Sequence, residues 1–395
     1  MQGQQLCIPA LIAQQFQLLG GTKFNQALMP DNKGLGLSST PWGTHFFNAF
    51  RLGYKTDCQH NTSLTPLNDS ISTSSATPYL TGIAGNNTQN FAVPFANTSD
   101  YFNPALGTPY SSGNRNPYYN RIASYPGMST LYLDAKAQGA TFIIAWLGME
   151  DIYNYARTGG TSAAIPSSSL FSMRVDSILG GLTANGAKGV IATIPDFRAF
   201  PYYTLIPWNS AAMTQSQADA LNQLYPPAAF PYVHFHSGNN GFVIYDASVT
   251  GGVRQLHSGE YITLSAPLDS MKCDEYGLLV SVMNNYYALD SSEVYNIDNA
   301  INSYNAVIMQ KAAQYNFALA DMHYYFNNVN TGILWNGVTY NMSFVTGGFL
   351  SLDGYHPNQQ GYALIANQFI QSINSKYNAY IPMVNCTQCN GVLFP

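Results

Sequence analysis

Two continuous apolar runs, set between helical stretches, restrict the fold of this chain more than anything else in it. They are Thr141-Phe-Ile-Ile-Ala-Trp-Leu147 and Lys188-Gly-Val-Ile-Ala-Thr-Ile194. Neither alternates as a strand with one wet face does, so both read as parallel strands covered on both sides. A parallel return needs a crossover, and Ser167 to Asn185, closed by Gly186, supplies a helix for it. Met128 to Gln138 reads as a helix ahead of the first run. After the second, Ser291 to Tyr315 reads as a long helix, Phe317-Ala-Leu-Ala-Asp321 as a strand, and Pro357 to Ser375 as a closing amphipathic helix. Helix and strand in alternation are the pattern of a doubly wound α/β sheet.

The remaining stretches decorate that rhythm. Ile8 to Leu19 has helical spacing and stops at Gly20-Gly21. Residues 57–100 are rich in Asn, Thr and Ser and read as loop with little regular structure. Residues 200–290 break the alternation with Pro and aromatic residues. Gly241-Phe-Val-Ile-Tyr-Asp246 and Glu260-Tyr-Ile-Thr-Leu264 look like strands around a Gly251-Gly252 turn. This region reads as a cap inserted over one end of the sheet, within a single α/β domain spanning residues 1–395.

Composition excludes several functions. Charged residues are 9% of the chain, against about 25% in a typical soluble domain. With 29 Tyr and 21 Phe, the chain is far too aromatic for a disordered one. Fifteen Lys and Arg against 20 Asp and Glu leave no footprint for nucleic acid. No apolar run approaches the roughly 18 residues of a membrane span. The neutral, Asn/Ser/Thr-rich surface leans toward an extracytoplasmic setting. Met1-Gln-Gly-Gln-Gln lacks the basic start of an export signal, and Cys7 follows Gln5-Leu6 without the small residue of a lipoprotein cleavage site. If the protein is exported, its targeting segment is expected to lie upstream of this sequence or to have been removed. The five cysteines, Cys7, Cys58, Cys273, Cys386 and Cys389, leave at least one thiol unpaired within the chain. Cys386-Thr-Gln-Cys389 reads as a local disulfide or two plain thiols rather than a redox motif or half a zinc site.

The sharpest chemical signal is Ser351-Leu-Asp353-Gly-Tyr-His356-Pro357. An Asp three residues before a His, on a turn at a helix start, lets the carboxylate hold one imidazole nitrogen. The other nitrogen then faces outward as a general base. Pro357 suits the first helical turn. The plainer alternative is a loop Asp capping the helix beside an exposed His.

This segment resembles the last block of the SGNH (GDSL-type) hydrolase superfamily, and the chain looks most like the Bacteroidetes branch of GDSL-like lipases/acylhydrolases, which are surface lipoproteins. The matching stretches are Gln26-Ala-Leu-Met-Pro-Asp-Asn-Lys-Gly-Leu-Gly36, Asn116-Pro-Tyr-Tyr-Asn-Arg-Ile-Ala-Ser124, Trp146-Leu-Gly-Met-Glu-Asp-Ile-Tyr-Asn-Tyr-Ala156, Gly347 to Pro357, and Gly391-Val-Leu-Phe-Pro395. The resemblance implies a flavodoxin-like three-layer α/β/α fold and no cofactor or metal. It implies a Ser nucleophile on the first strand–helix turn, oxyanion donors from a block-two Gly and a block-three Asn, and an Asp/His pair. Asp353 and His356 match the pair. Gly148-Met-Glu150-Asp151 puts Glu150 where the Asn donor belongs, and Asn90-Phe-Ala-Val-Pro-Phe95-Ala96 puts Phe95 where the Gly belongs. The nucleophile block, expected ahead of Ile8, has no counterpart, and the first strand of the sheet is expected to be missing with it.

Other motifs carry less. His234-Phe-His236 has strand spacing that would suit two metal ligands, without a third nearby. Trp146, Trp208 and Trp335 would suit a sugar or acyl site, or a core. The pairs Tyr118-Tyr119, Tyr202-Tyr203, Tyr286-Tyr287 and Tyr324-Tyr325 suit either an interface or half-buried packing. The expectation is a degenerate SGNH-like protein, a pseudoenzyme that binds an acyl-ester or glycan ligand or joins an outer-membrane or cell-surface assembly. The alternative is a serine esterase or acylhydrolase with its nucleophile upstream of Met1.

Overall fold

The computed structural model describes residues 2–40, 43–83, 87–108, 116–278 and 281–395. Helix α1 (Ile8–Gln17) starts behind Cys7 with a proline in its first turn and buries Ala10, Leu11 and Ile12. It ends as the spacing predicts, where the Gly21 amide bonds the Phe16 carbonyl.

The stretch expected to be loop holds more structure than its composition suggests. Strands β1 (Arg51–Thr56) and β2 (Thr62–Leu67) form an antiparallel hairpin in register from Arg51↔Leu67 to Thr56↔Thr62. A short helix follows at Thr73–Leu80. Six of its twelve strand residues are exposed and Leu52 alone of them is buried, so no apolar alternation marks it in the sequence. Its tip is held from outside: Cys58 is disulfide-bonded to Cys273, 215 residues away. Lys55 pairs with Asp269, and Lys272 with Asp57.

The core follows the expected alternation. Helix α2 (Leu131–Ala137) begins three residues later than expected, because the Thr130 hydroxyl caps it. Strand β3 (Phe142–Ala145) leads through Leu147-Gly148 into α3 (Met149–Ala156) and α4 (Ser168–Leu182). Strand β4 (Lys188–Ala192), helix α5 (Ser291–Gln314), strand β5 (Ala318–Ala320) and helix α6 (Gln359–Tyr377) complete it. The strands form a parallel sheet of order β5-β4-β3, with Val190 opposite both Ile144 and Ala318. Helices α1 and α6 pack together over one face, and α4 and α5 over the other. The three-layer α/β/α arrangement implied by the resemblance is therefore present. Among the described residues, the outer edge of β3 pairs with no strand.

Residues 200–290 form short antiparallel pairs, 211–213 with 238–240, 243–245 with 253–255, and 261–262 with 288–289. They carry apolar clusters of their own. One gathers Phe242, Ile244, Leu256 and Met283, the other Leu221, Val233, Phe235 and Val253.

One local expectation is corrected. Asn358, not Pro357, begins the last helix: its side chain accepts the Gly361 amide at 2.9 Å, so Pro357 lies ahead of the cap. Of the two readings of Cys386-Thr-Gln-Cys389, the structure shows the plain thiols: both are buried and unpaired, and Cys7 is free as well. In three of the Tyr-Tyr pairs one ring is buried, Tyr119, Tyr203 and Tyr287. Among the described residues, no helix is long and apolar enough to cross a membrane.

Candidate functional site

The loop that enters α6 folds around one carboxylate. Asp353 Oδ1 accepts the amides of Tyr355 and His356, each at 2.9 Å, and the Ser351 hydroxyl at 2.7 Å. Its Oδ2 faces His356 Nδ1 at 2.7 Å. Burial alone would raise the Asp353 carboxyl, but His356 and these donors outweigh it and hold it at about 2. Burial likewise works to lower the His356 value, and the Asp353 carboxylate overcomes it, so His356 is raised. A carboxylate at Nδ1 fixes the proton there. The imidazole is half-exposed, desolvated on the side facing Asp353 and open on the other, and among the described residues Nε2 has no hydrogen-bond partner. It is free to act as a base.

Packing places this pair at the C-terminal edge of the sheet, where α/β sites form. The Tyr355 ring meets Tyr153 of α3 edge-on at 5.6 Å and Phe200 at 5.0 Å. Both partners lie in segments that leave the C-terminal ends of β3 and β4. Gly148 makes the turn into α3 at a φ of +94°, in the left-handed region that favours glycine. A Cβ there would lie 2.8 Å from Phe171 and 3.0 Å from Ile194.

Helix α3 carries Glu150 in its first turn and Arg157 just past its end. Seven residues are about two helical turns, so both side chains share a face. Arg157 Nη2 donates to Glu150 Oε2 at 2.6 Å and also to Asn154. The guanidinium lies 5.2 Å from the Phe95 ring centre and 5.5 Å from that of Tyr355. Phe95 has a φ of +65°, and its carbonyl accepts from Asn154 at 3.3 Å. Asp151 fastens the neighbouring loop to the helix, taking the Thr98 amide at 2.9 Å and hydroxyl at 2.6 Å.

The fold thus brings Phe95, Glu150, Asp353 and His356 to one place, with Arg157 as the link. A profile of the GDSL-like Lipase/Acylhydrolase family matches residues 65–369. The chain belongs to this family. The match spans the sheet, α3, the Asp353–His356 loop and the first half of α6, and it supports hydrolase-type chemistry. No curated protein matches the chain, and no solved structure does.

Other sequence candidates in this GDSL-like chain lie apart from that constellation. His234 and His236 are exposed, and His236 Nδ1 faces the Ser237 carbonyl at 2.9 Å. Trp146 packs edge-on against Phe326 and Phe369 and donates to the Thr193 carbonyl at 3.0 Å, a core role. Trp208 packs against the cluster around Phe242, and Trp335 belongs to the hairpin 333–340. Arg157 is the residue of this site that the sequence motifs do not mark, while Tyr203 and Tyr355 lie in motifs that assign them no place beside it. The seven-residue spacing of Glu150 and Arg157 was the available signal for the first.

Proposed function

We propose that this chain keeps the ligand cleft of a GDSL-like acylhydrolase at Asp353–His356, does not itself turn over esters, and serves as a binding or assembly subunit. The observation that carries this reading is the Glu150–Arg157 pair. Acyl transfer needs preorganised donors aimed at the developing oxyanion, and losing one costs about 10²–10³ in rate. Glu150 offers acceptor oxygens where the resemblance expects an amide donor. Phe95 adds a ring where it expects glycine. The alternative, a serine acylhydrolase whose nucleophile lies upstream of Met1, draws support from the well-oriented His356, but it accounts for neither substitution.

The Cys58–Cys273 disulfide supports an oxidising, extracytoplasmic setting. With the Bacteroidetes-like stretches it fits a surface lipoprotein, and residues 200–290 fit a cap over the cleft that recognises an acyl-ester or glycan ligand. The test is hydrolysis of p-nitrophenyl acetate and butyrate by the purified chain. The expected rate equals that of His356→Ala. Hydrolysis that disappears in His356→Ala would overturn the proposal and point to an unrecognised nucleophile.

A further inference from the structure

Beside the Asp353–His356 pair, three polar atoms are buried without a hydrogen-bond partner among the described residues: Arg157 Nη1, the Tyr203 hydroxyl and the Tyr355 hydroxyl. They are neighbours. The Tyr203 and Tyr355 rings lie 6.5 Å apart, the guanidinium sits over Tyr355, and both phenols act electrostatically on Arg157. Tyr203 is 0% and Tyr355 6% exposed. Buried donors left unpaired are costly, and native structures rarely keep several together without a partner that completes them.

The chemistry of the set says what completes it. The guanidinium nitrogen only donates, and each phenol has an unspent donor. A water molecule can accept from the guanidinium and donate to a phenol, whereas a carboxylate, acceptor-only with about four lone-pair sites, can take a donor from all three groups at once. Guanidinium and carboxylate also match in geometry. Glu150 occupies only Nη2, so the Nη1 edge remains for a second carboxylate. The Phe95 ring centre lies 5.2 Å from the guanidinium, on left-handed backbone. The Tyr202 ring packs beside both phenols, 4.9 Å from that of Tyr203 and 6.2 Å from that of Tyr355.

We propose that Arg157, Tyr203 and Tyr355 form a carboxylate-binding site next to His356, which takes the acid head of a short acyl ligand. This rests on the reading of the cleft as an acyl-ligand site and names the ligand end it recognises.

Calorimetric titration of the full chain with sodium hexanoate and with neutral hexanamide tests it. Hexanoate is expected to bind at least about tenfold more tightly than hexanamide, as charge-assisted hydrogen bonds require. Arg157→Gln strands Glu150 in a half-buried place, so the double variant Glu150→Gln/Arg157→Gln, checked for folding by its melting curve, is the decisive one. It is expected to lose the preference for hexanoate. Tyr203→Phe and Tyr355→Phe each weaken hexanoate by roughly three- to tenfold. Equal affinity for the two probes, no hexanoate binding at millimolar concentration, or undiminished preference in the folded double variant would overturn the site. The outcomes separate from those of the ester assay: a chain that hydrolyses esters yet binds hexanoate through Arg157 overturns the proposed loss of turnover alone.

Discussion

His356 and Asp353 couple protonation to folding in opposite senses. His356 is raised above its ordinary value, near about 6.5, so the stability it contributes is complete below that pH. It is lost as pH rises through the higher folded value. Asp353 is held at about 2, so its contribution is present above the ordinary carboxylate value of about 3.9 and is lost as pH falls toward 2. The pair is therefore most stabilising between roughly pH 4 and 6.5. An NMR titration of the His356 ring should show a midpoint above that of an exposed histidine, and Asp353→Asn should shift it downward. An unchanged midpoint in that variant would show that Asp353 does not set it. A second residue-scale expectation concerns Glu293, raised to about 7 by burial and by the nearby Asp290 and Glu260 carboxylates. A carboxyl raised on folding adds stability below its ordinary value that is lost as pH climbs to 7. Melting temperature should fall over that interval, and Glu293→Gln should flatten the fall.

At the scale of elements, two features decide how firmly the site is held. The turn from β3 into α3 depends on Gly148, where a methyl group would strike Phe171 and Ile194. Phe171 has nowhere to go, being stacked on Tyr304 with ring centres 3.9 Å apart. Gly148→Ala should cost roughly 2–4 kcal/mol in urea unfolding, combining a left-handed backbone with overpacking. The β1–β2 hairpin has little apolar packing of its own, and its two lysine–aspartate pairs are surface pairs worth about 0–1 kcal/mol each. The Cys58–Cys273 bond should dominate its attachment. Cys58→Ser/Cys273→Ser is expected to destabilise the chain by about 2–4 kcal/mol and to expose residues 51–67 to protease before the sheet unfolds. The buried strands and long helices were legible in sequence because apolar period and capping residues mark them locally. The hairpin was not, because its polar strands owe their order to a cysteine 215 residues away.

At the scale of the whole molecule, the β3 edge is open among the described residues, although Phe142-Ile-Ile-Ala145 has the apolar run of a covered strand. An open edge of that kind accepts a further strand, and charge of only 9% does little to keep copies or partners apart. Natively extracted protein is expected to elute with a partner or as an oligomer. Light scattering that gives a single species near 43.1 kDa, with no co-purifying protein, would sink the assembly reading. The α/β alternation, the positions of the buried strands along the chain, and the meeting of Asp353 with His356 were readable from the residues alone. Each of these rests on residues close in the chain, where spacing dictates geometry. That Arg157 joins Glu150 to Phe95 and Tyr355, that Cys58 finds Cys273, and that three donors are buried without an acceptor among the described residues emerged only from the folded chain. Those outcomes depend on which side chains from distant segments arrive at the same sheet edge, and no local period encodes that meeting.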